Sequence, residues 1–190
     1  MSHLFIITGA SRGLGAALSS VLSEELSSPF KAEFVLLARD HDGMVDTQNV
    51  ILQNQPTADI ILHQIDLGAL HTLEESLDEV FGNIKTPSSA QKKVYLFHNS
   101  GSLGKLDRVE TLSLNDIQAS IALNVVSFMA LSARFLQHFK DAQYGRLPVS
   151  MIHGEGTGGW CLCTLKRLEG LPKLVSGASL VGNQPAQPRS

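Results

Sequence analysis

The chain has 190 residues, 43% of them hydrophobic and 17% charged, with a formal net charge of −3. This is enough apolar material for one domain with a real core, and it excludes a disordered chain and any general attraction to nucleic acid or an anionic membrane. The longest apolar runs are strand-sized, so no bilayer span is expected. With two cysteines only two residues apart, Cys161 and Cys163, and no basic segment before the first apolar stretch, a reducing cytoplasmic setting is the expectation.

In chain order, Leu4–Thr8 is a continuous apolar run, the mark of a strand buried on both faces. Leu14, Ala17, Leu18, Val21, Leu22 and Leu26 follow at helical spacing. Phe34–Ala38 reads as a second strand, Ile60–Ile65 as a third interrupted by His63 and Gln64, and Val94–Phe97 as a fourth. Leu70, Leu73, Leu77, Val80 and Phe81 mark a helix before the fourth strand. A long helix follows it, with Leu114, Ile117, Ile121, Val125, Phe128, Phe135 and Phe139 on one side and Ser113 and Asp116 placed as a cap start. Such alternation predicts an α/β fold, a doubly wound parallel sheet with helices on both faces.

The regular pattern covers residues 1–145, and residues 146–190 form a divergent tail of largely irregular composition. Within the tail, Leu147–Ile152 has the makings of a fifth strand and Leu162–Leu168 those of a short helix. The end, "SGASLVGNQPAQPRS", has tail composition.

In a doubly wound sheet, ligands bind outside the C-terminal ends of the strands, and the first strand–loop–helix junction is the usual phosphate site. Gly9, Gly13 and Gly15 stand at that junction in "LFIITGASRGLG". Glycines let the backbone turn tightly and approach a pyrophosphate, while the helix N-terminus offers free N–H groups and partial positive charge. A glycine-rich turn without a ligand is the plain alternative. The literal G-x-G-x-x-G spacing occurs instead at Gly154, Gly156 and Gly159, but too little chain follows to complete a strand–helix–strand unit, and it reads as a loop.

"TGASRGLG" at 8–15, "LLARD" at 36–40, "IDL" at 65–67, "HNSG" at 98–101 and Asn124 in "ALNVVS" together, and in that order, resemble the short-chain dehydrogenase/reductase family over about residues 3–140. The resemblance implies a Rossmann-like fold, here incomplete at its C-terminal side, and an NADP(H)-dependent reduction of a small-molecule carbonyl. It also implies a cofactor site drawn from Gly9, Ser11, Arg12, Gly13, Leu14, Gly15, Arg39, Asp40, Asp66, Leu67, Asn99 and Gly101. Asn124 would be a member of the catalytic set, and a homo-oligomer would be in keeping with the family. Within the family, "NSGSLG" at 99–104, "LLARD" and the insert around 85–92 look most like the pterin-reducing members, which implies a pterin-like substrate.

Two guanidiniums, Arg12 and Arg39, suit a ribose 2′-phosphate through charge-assisted, bidentate bonds and favour NADP(H) over NAD(H). Asp40 next door could instead accept hydrogen bonds from an unphosphorylated ribose. Asp66 would contact the adenine or, on the plainer reading, cap the following helix. His98 stands where the family usually has asparagine.

The family's reaction uses a tyrosine as proton donor, a lysine four residues later and a serine. A phenol with pKa near 10 needs a nearby cation to act at neutral pH. Here the two tyrosines, Tyr95 and Tyr144, are followed four residues on by Asn99 and Pro148. Ser150 lies roughly where a serine is due, in a segment unlike the family's. "GGWCLCTLKR" lies near the expected tyrosine and lysine and holds neither arrangement. No metal site is expected, because His153, Cys161 and Cys163 have no evident fourth ligand. The sequence therefore predicts a cofactor-binding half without its acid catalyst. It also predicts an apolar helix face left uncovered, with poor solubility or dependence on a partner.

Overall fold

The computed structural model describes residues 2–25, 31–85, 92–139, 150–153 and 160–163. Four parallel strands, β1 (Ser2–Thr8), β2 (Lys31–Ala38), β3 (Asp59–Gln64) and β4 (Lys92–Phe97), form one sheet in the order β3-β2-β1-β4. Helices α1 (Gly13–Glu25), α2 (His41–Asn54) and α3 (Leu70–Gly82) make the crossovers, and α4 (Leu114–Ile121) and α5 (Ser127–His138) follow β4. The register pairs Thr8 with Leu37 and Ile7 with Phe97, so the strands end together along one edge.

The sheet is the centre of two apolar layers. Alternate residues of β1 point to opposite faces, Leu4 and Ile6 into one layer and Phe5 and Ile7 into the other, all at most 2% exposed. The first layer holds α3 and α5 through Leu73, Leu77, Leu131 and Phe135. The second holds α1 and α2 through Leu22, Met44 and Ile51. Burying each such side chain contributes about 1.5–3 kcal/mol. This is the doubly wound α/β fold the alternation predicts, with β1, β2 and β4 starting two or three residues before the apolar runs that mark them and β3 offset by one residue from its run.

Several elements depart from the sequence reading. Helix α2 is not among the predicted elements. Its buried side is only Met44, Thr47 and Ile51, one residue per turn, one of them polar, which is a faint periodic signal. Helix α1 is present, but its buried residues are Gly15, Ser19, Leu22 and Ser23, whereas Leu14 and Val21 are exposed. Gly15 takes that face because α1 begins against the backbone of the β1 loop, where a Cβ would lie 2.3 Å from Gly9 O, and Ser23 meets Asn54 of α2.

The long helix is three pieces. Ser113 and Asp116 form a complete capping box at the start of α4. Ala122–Val126 then opens into one π-helical turn, and α5 continues. Leu131 and Phe135 of α5 are buried, whereas no residue of α4 is buried and Leu114, Ile117, Ile121, Val125, Met129 and Leu136 are exposed. The uncovered apolar face expected from the sequence is therefore present. Leu114–His138 is also long and apolar enough by composition to cross a membrane, an 18-residue stretch within it having a mean hydropathy of 1.6. The strand-sized apolar runs did not lead to that expectation, because Asn115, Gln118 and Asn124 interrupt the pattern.

Residues Ser150–His153 form β5, which pairs antiparallel with β6 (Trp160–Cys163) in a separate two-stranded sheet. The fifth strand is thus real but is not the next strand of the parallel sheet. Leu162 and Cys163 are strand where a helix is predicted. Tyr144, Gly154, Gly156, Gly159, Lys166 and the tail from 164 onward lie outside the described residues.

Candidate functional site

At the C-terminal edge of the sheet, β1 ends in Thr8 and the chain turns at Gly9 with φ of +66°. The Gly9 amide donates to Leu37 O at 2.7 Å, which ties this loop to the end of β2. Gly13 repeats the left-handed conformation at φ +57°. Glycine adopts it without the cost of about 1–2 kcal/mol that a Cβ would carry. A Cβ on Gly13 would meet nothing within 4 Å, so the turn faces open space.

Gly15 is required for the opposite reason. A Cβ there would lie 2.3 Å from Gly9 O and 2.6 Å from Asn99 Nδ2. The absent side chain leaves room for Asn99, whose Nδ2 donates to Thr8 O at 3.1 Å and Gly9 O at 3.3 Å. Thr8 completes the lock. Its hydroxyl accepts from the amides of Asn99 and Ser100, at 2.9 and 2.8 Å, and donates to Phe97 O at 3.4 Å. The glycine loop and the loop after β4 are therefore one hydrogen-bonded unit. Sequence reasoning did not include Thr8 in the site. A polar residue closing an apolar strand was the available signal.

The basic side chains stand beside this unit. Arg12 lies within the glycine loop and Arg39 directly follows β2, and both are exposed. Among the described residues neither guanidinium makes an ion pair. Asp40 is engaged as the N-cap of α2, its Oδ1 accepting from Gly43 N at 3.2 Å. Beyond β3, Asp66 Oδ1 accepts from Gly68 N at 2.9 Å, a local Asx turn. The N-cap of α3 is Ala69, so Asp66 is not the helix cap. Leu67 is 5% exposed and its side chain packs in the core, which leaves only its backbone to face the edge. Ser11 is half-buried at the loop, Leu14 is 58% exposed on the first turn of α1, and Gly101 is exposed after β4.

Asn124 sits in the π-helical turn and reaches the same loop. Its Oδ1 accepts from Ser102 N at 3.0 Å while Nδ2 donates to Ser102 O at 2.7 Å and to Ser120 Oγ at 3.2 Å. Its amide is thus occupied in holding the loop after β4 on the long helix. His98 anchors that loop from below. Its Nε2 lies 3.0 Å from Ser132 Oγ on α5, and its ring packs 4.4 Å from that of Phe128. Burial pulls its pKa down to about 4, so the imidazole is neutral at physiological pH.

Tyr95 is 9% exposed within the second apolar layer, stacked on Phe5 at 5.1 Å. Burial raises its pKa. It lies in the core and away from the edge, so it cannot act as the proton donor. Ser150 lies in β5, opposite Cys163, outside the four-stranded sheet. The structure thus gathers Gly9–Gly15, Arg39, Asp40, Asp66, Asn99, Gly101 and Asn124 at one edge.

A family model described as short chain dehydrogenase matches residues 3–156. The chain belongs to the short-chain dehydrogenase family. Among curated relatives, the benzil reductase ((S)-benzoin forming) of Bacillus cereus is 26% identical over 165 residues, covering 85% of this chain and 62% of its own length. The sepiapterin reductase of Bos taurus is 31% identical over 144 residues, covering 73% of this chain and 51% of its own length. The chain spans about half to three-fifths of the length of these relatives. Among solved structures, an alcohol dehydrogenase from Thermococcus sibiricus complexed with 5-hydroxy-NADP superposes with a TM-score of 0.59 at 24% identity, covering 73% of this chain and 53% of that one. The L-sorbose reductase of Gluconobacter frateurii complexed with NADPH and L-sorbose gives 0.58 at 18% identity, covering 72% of this chain and 47% of that one. At these identities the structures establish the fold, a Rossmann-like sheet of which this chain holds a part.

Proposed function

We propose that this chain is the NADP(H)-binding part of a carbonyl reductase. The observation that carries the reading is the glycine loop locked by Thr8 and Asn99, with Arg12 and Arg39 beside it free of ion pairs among the described residues and Asp40 committed to capping α2. Asp40 caps α2 through Oδ1 alone, and the guanidiniums of Arg12 and Arg39 are what favour a 2′-phosphate. The open turn at Gly13 and the start of α1 would take the pyrophosphate on backbone amides. Asp66, held by its Asx turn, would face the adenine, and Asn99 and Gly101 would line the nicotinamide ribose.

When bound, the cofactor would supply hydride to a carbonyl carbon. This chain's own contribution is to orient it. Asn124 keeps the loop of Asn99–Gly104 against the long helix, and neutral His98 holds the base of that loop without adding charge. For the substrate we favour a pterin-like carbonyl, supported by "NSGSLG" at 99–104 and by the sepiapterin reductase relatives at about 30% identity. The benzil reductases make an aromatic diketone the competing choice.

A second reading has its own observation. No tyrosine of these 190 residues is followed four residues on by lysine, and Tyr95 is in the core. On this reading the chain binds nucleotide without turnover. Fluorescence titration with NADPH tests the shared premise, and absence of binding at millimolar cofactor would refute both. NADPH oxidation with sepiapterin or benzil then separates them, since only the reductase reading expects turnover.

A further inference from the structure

Helix α2 is fastened to the glycine loop by contacts that no cofactor-binding motif includes. Thr47, the seventh residue of α2 and 5% exposed, donates its hydroxyl hydrogen to Ala10 O at 2.8 Å, with Gly43 O at 3.0 Å as a second acceptor. Ala10 is fully buried, so its carbonyl has no access to water and needs this donor. One turn earlier the two backbones nearly touch. A Cβ on Gly43 would lie 2.6 Å from Ser11 O and 3.0 Å from Ser11 Cβ. Two turns beyond Thr47, Asn54 Nδ2 donates to Ser20 O at 3.3 Å and Ser23 Oγ at 3.0 Å on α1.

These contacts have a geometric consequence. Arg12 belongs to the loop after β1, whereas Arg39 leads into the cap of α2. A phosphate gripped by both requires their separation to be held. The Gly9 amide bond to Leu37 O fixes the strand ends, and the docking of α2 on Ala10 and Ser11 adds a second tie beyond them, next to the two arginines. We infer that Thr47 is a positioning residue for cofactor selection, setting the distance between the two guanidiniums that grip the 2′-phosphate. The inference rests on the NADP(H) reading above and adds a residue to it. Thr47 touches no cofactor atom and acts only through Ala10.

The test uses the full chain and compares NADPH with NADH, because NADH lacks only the 2′-phosphate. Wild type, Thr47→Val and Thr47→Ser are titrated by fluorescence well below their melting temperatures. Thr47→Val keeps the shape and loses the donor. It is expected to weaken NADPH about five- to tenfold and NADH no more than about twofold, a differential equivalent to losing one modest hydrogen bond. Thr47→Ser, which keeps the hydroxyl, is expected to restore the wild-type preference.

Gly43→Ala attacks the same docking from the other side while suiting the helix, and it is expected to lower the preference as well. It serves if Thr47→Val does not fold. A loss of both affinities by one factor would mark Thr47 as structural only and overturn the inference, as would an unchanged preference in Thr47→Val or in folded Gly43→Ala. A fall in Thr47→Ser equal to that in Thr47→Val would do the same. A wild-type chain that binds neither nucleotide defeats the cofactor reading and the inference with it. One that prefers NADPH beside a Thr47→Val chain with the same preference defeats the inference alone.

Discussion

Replacing Gly15 by alanine should be among the most damaging single-methyl changes in this chain. The new Cβ would stand 2.3 Å from Gly9 O, 2.8 Å from Gly9 C and 2.6 Å from Asn99 Nδ2, all far inside ordinary contact. Gly9 cannot retreat easily, because its amide is bonded to Leu37 O at 2.7 Å and its φ of +66° already uses glycine's freedom. Asn99 must therefore give way and lose its bonds to Thr8 O and Gly9 O. Overpacking costs about 1–3 kcal/mol, and each lost hydrogen bond about 1 kcal/mol, so the total is on the order of 3–5 kcal/mol. A domain with a stability of about 5–15 kcal/mol would be severely weakened.

Gly13→Ala is the internal comparison. It meets no atom within 4 Å and carries only the left-handed backbone cost of about 1–2 kcal/mol. Urea denaturation followed by circular dichroism measures both, with the slopes checked for equality. The reasoning fails if Gly15→Ala lies within about 0.5 kcal/mol of wild type, the usual range of a neutral surface change, or is milder than Gly13→Ala.

Three further outcomes are expected. Arg39→Ala should weaken NADPH by about tenfold to a hundredfold, the worth of a charge-assisted bond, while leaving NADH almost unchanged; equal losses would argue against a 2′-phosphate contact. Stability should rise as pH increases from about 4 to 6.5, because the folded chain keeps His98 neutral down to about 4 while the unfolded imidazole titrates near 6.5 and binds the extra proton in that window. The contribution from His98 is on the order of 3 kcal/mol, His63 adds in the same direction, and His98→Asn should flatten most of the slope in denaturation curves taken across that range. Asn124→Ala should cost about 1–2 kcal/mol and speed hydrogen exchange at the Ser102 amide, whose acceptor it removes; unchanged exchange would mean that the loop is held elsewhere.

The cofactor edge was legible because its requirements are local. Gly9, Gly13 and Gly15 follow a buried strand and open a helix, and that order alone implies a turn that must accept positive φ and close approach. Arg39 and Asn99 were legible for the same reason, as short segments that end strands. The first half of the long helix was read less well. Leu114, Ile117, Ile121 and Val125 form a consistent stripe, yet all are exposed: no face of α4 is buried, and burial begins only at Ala122, where one π-helical turn leads into α5. Periodicity assumes an unbroken helix and does not register such a turn. Helix α2 escaped notice because its buried side includes the polar Thr47, whose hydroxyl bonds Ala10 O from 37 residues away as well as Gly43 O in its own helix.

By itself the sequence determined the class of fold, the strand ends and the glycine loop, because buried parallel strands and tight turns leave marks in consecutive residues. Tertiary structure alone decided that Thr8 and Asn99 join two loops and that Tyr95 is core. Those outcomes depend on which residues distant in the chain come within hydrogen-bond reach, and no run of neighbouring residues encodes that distance.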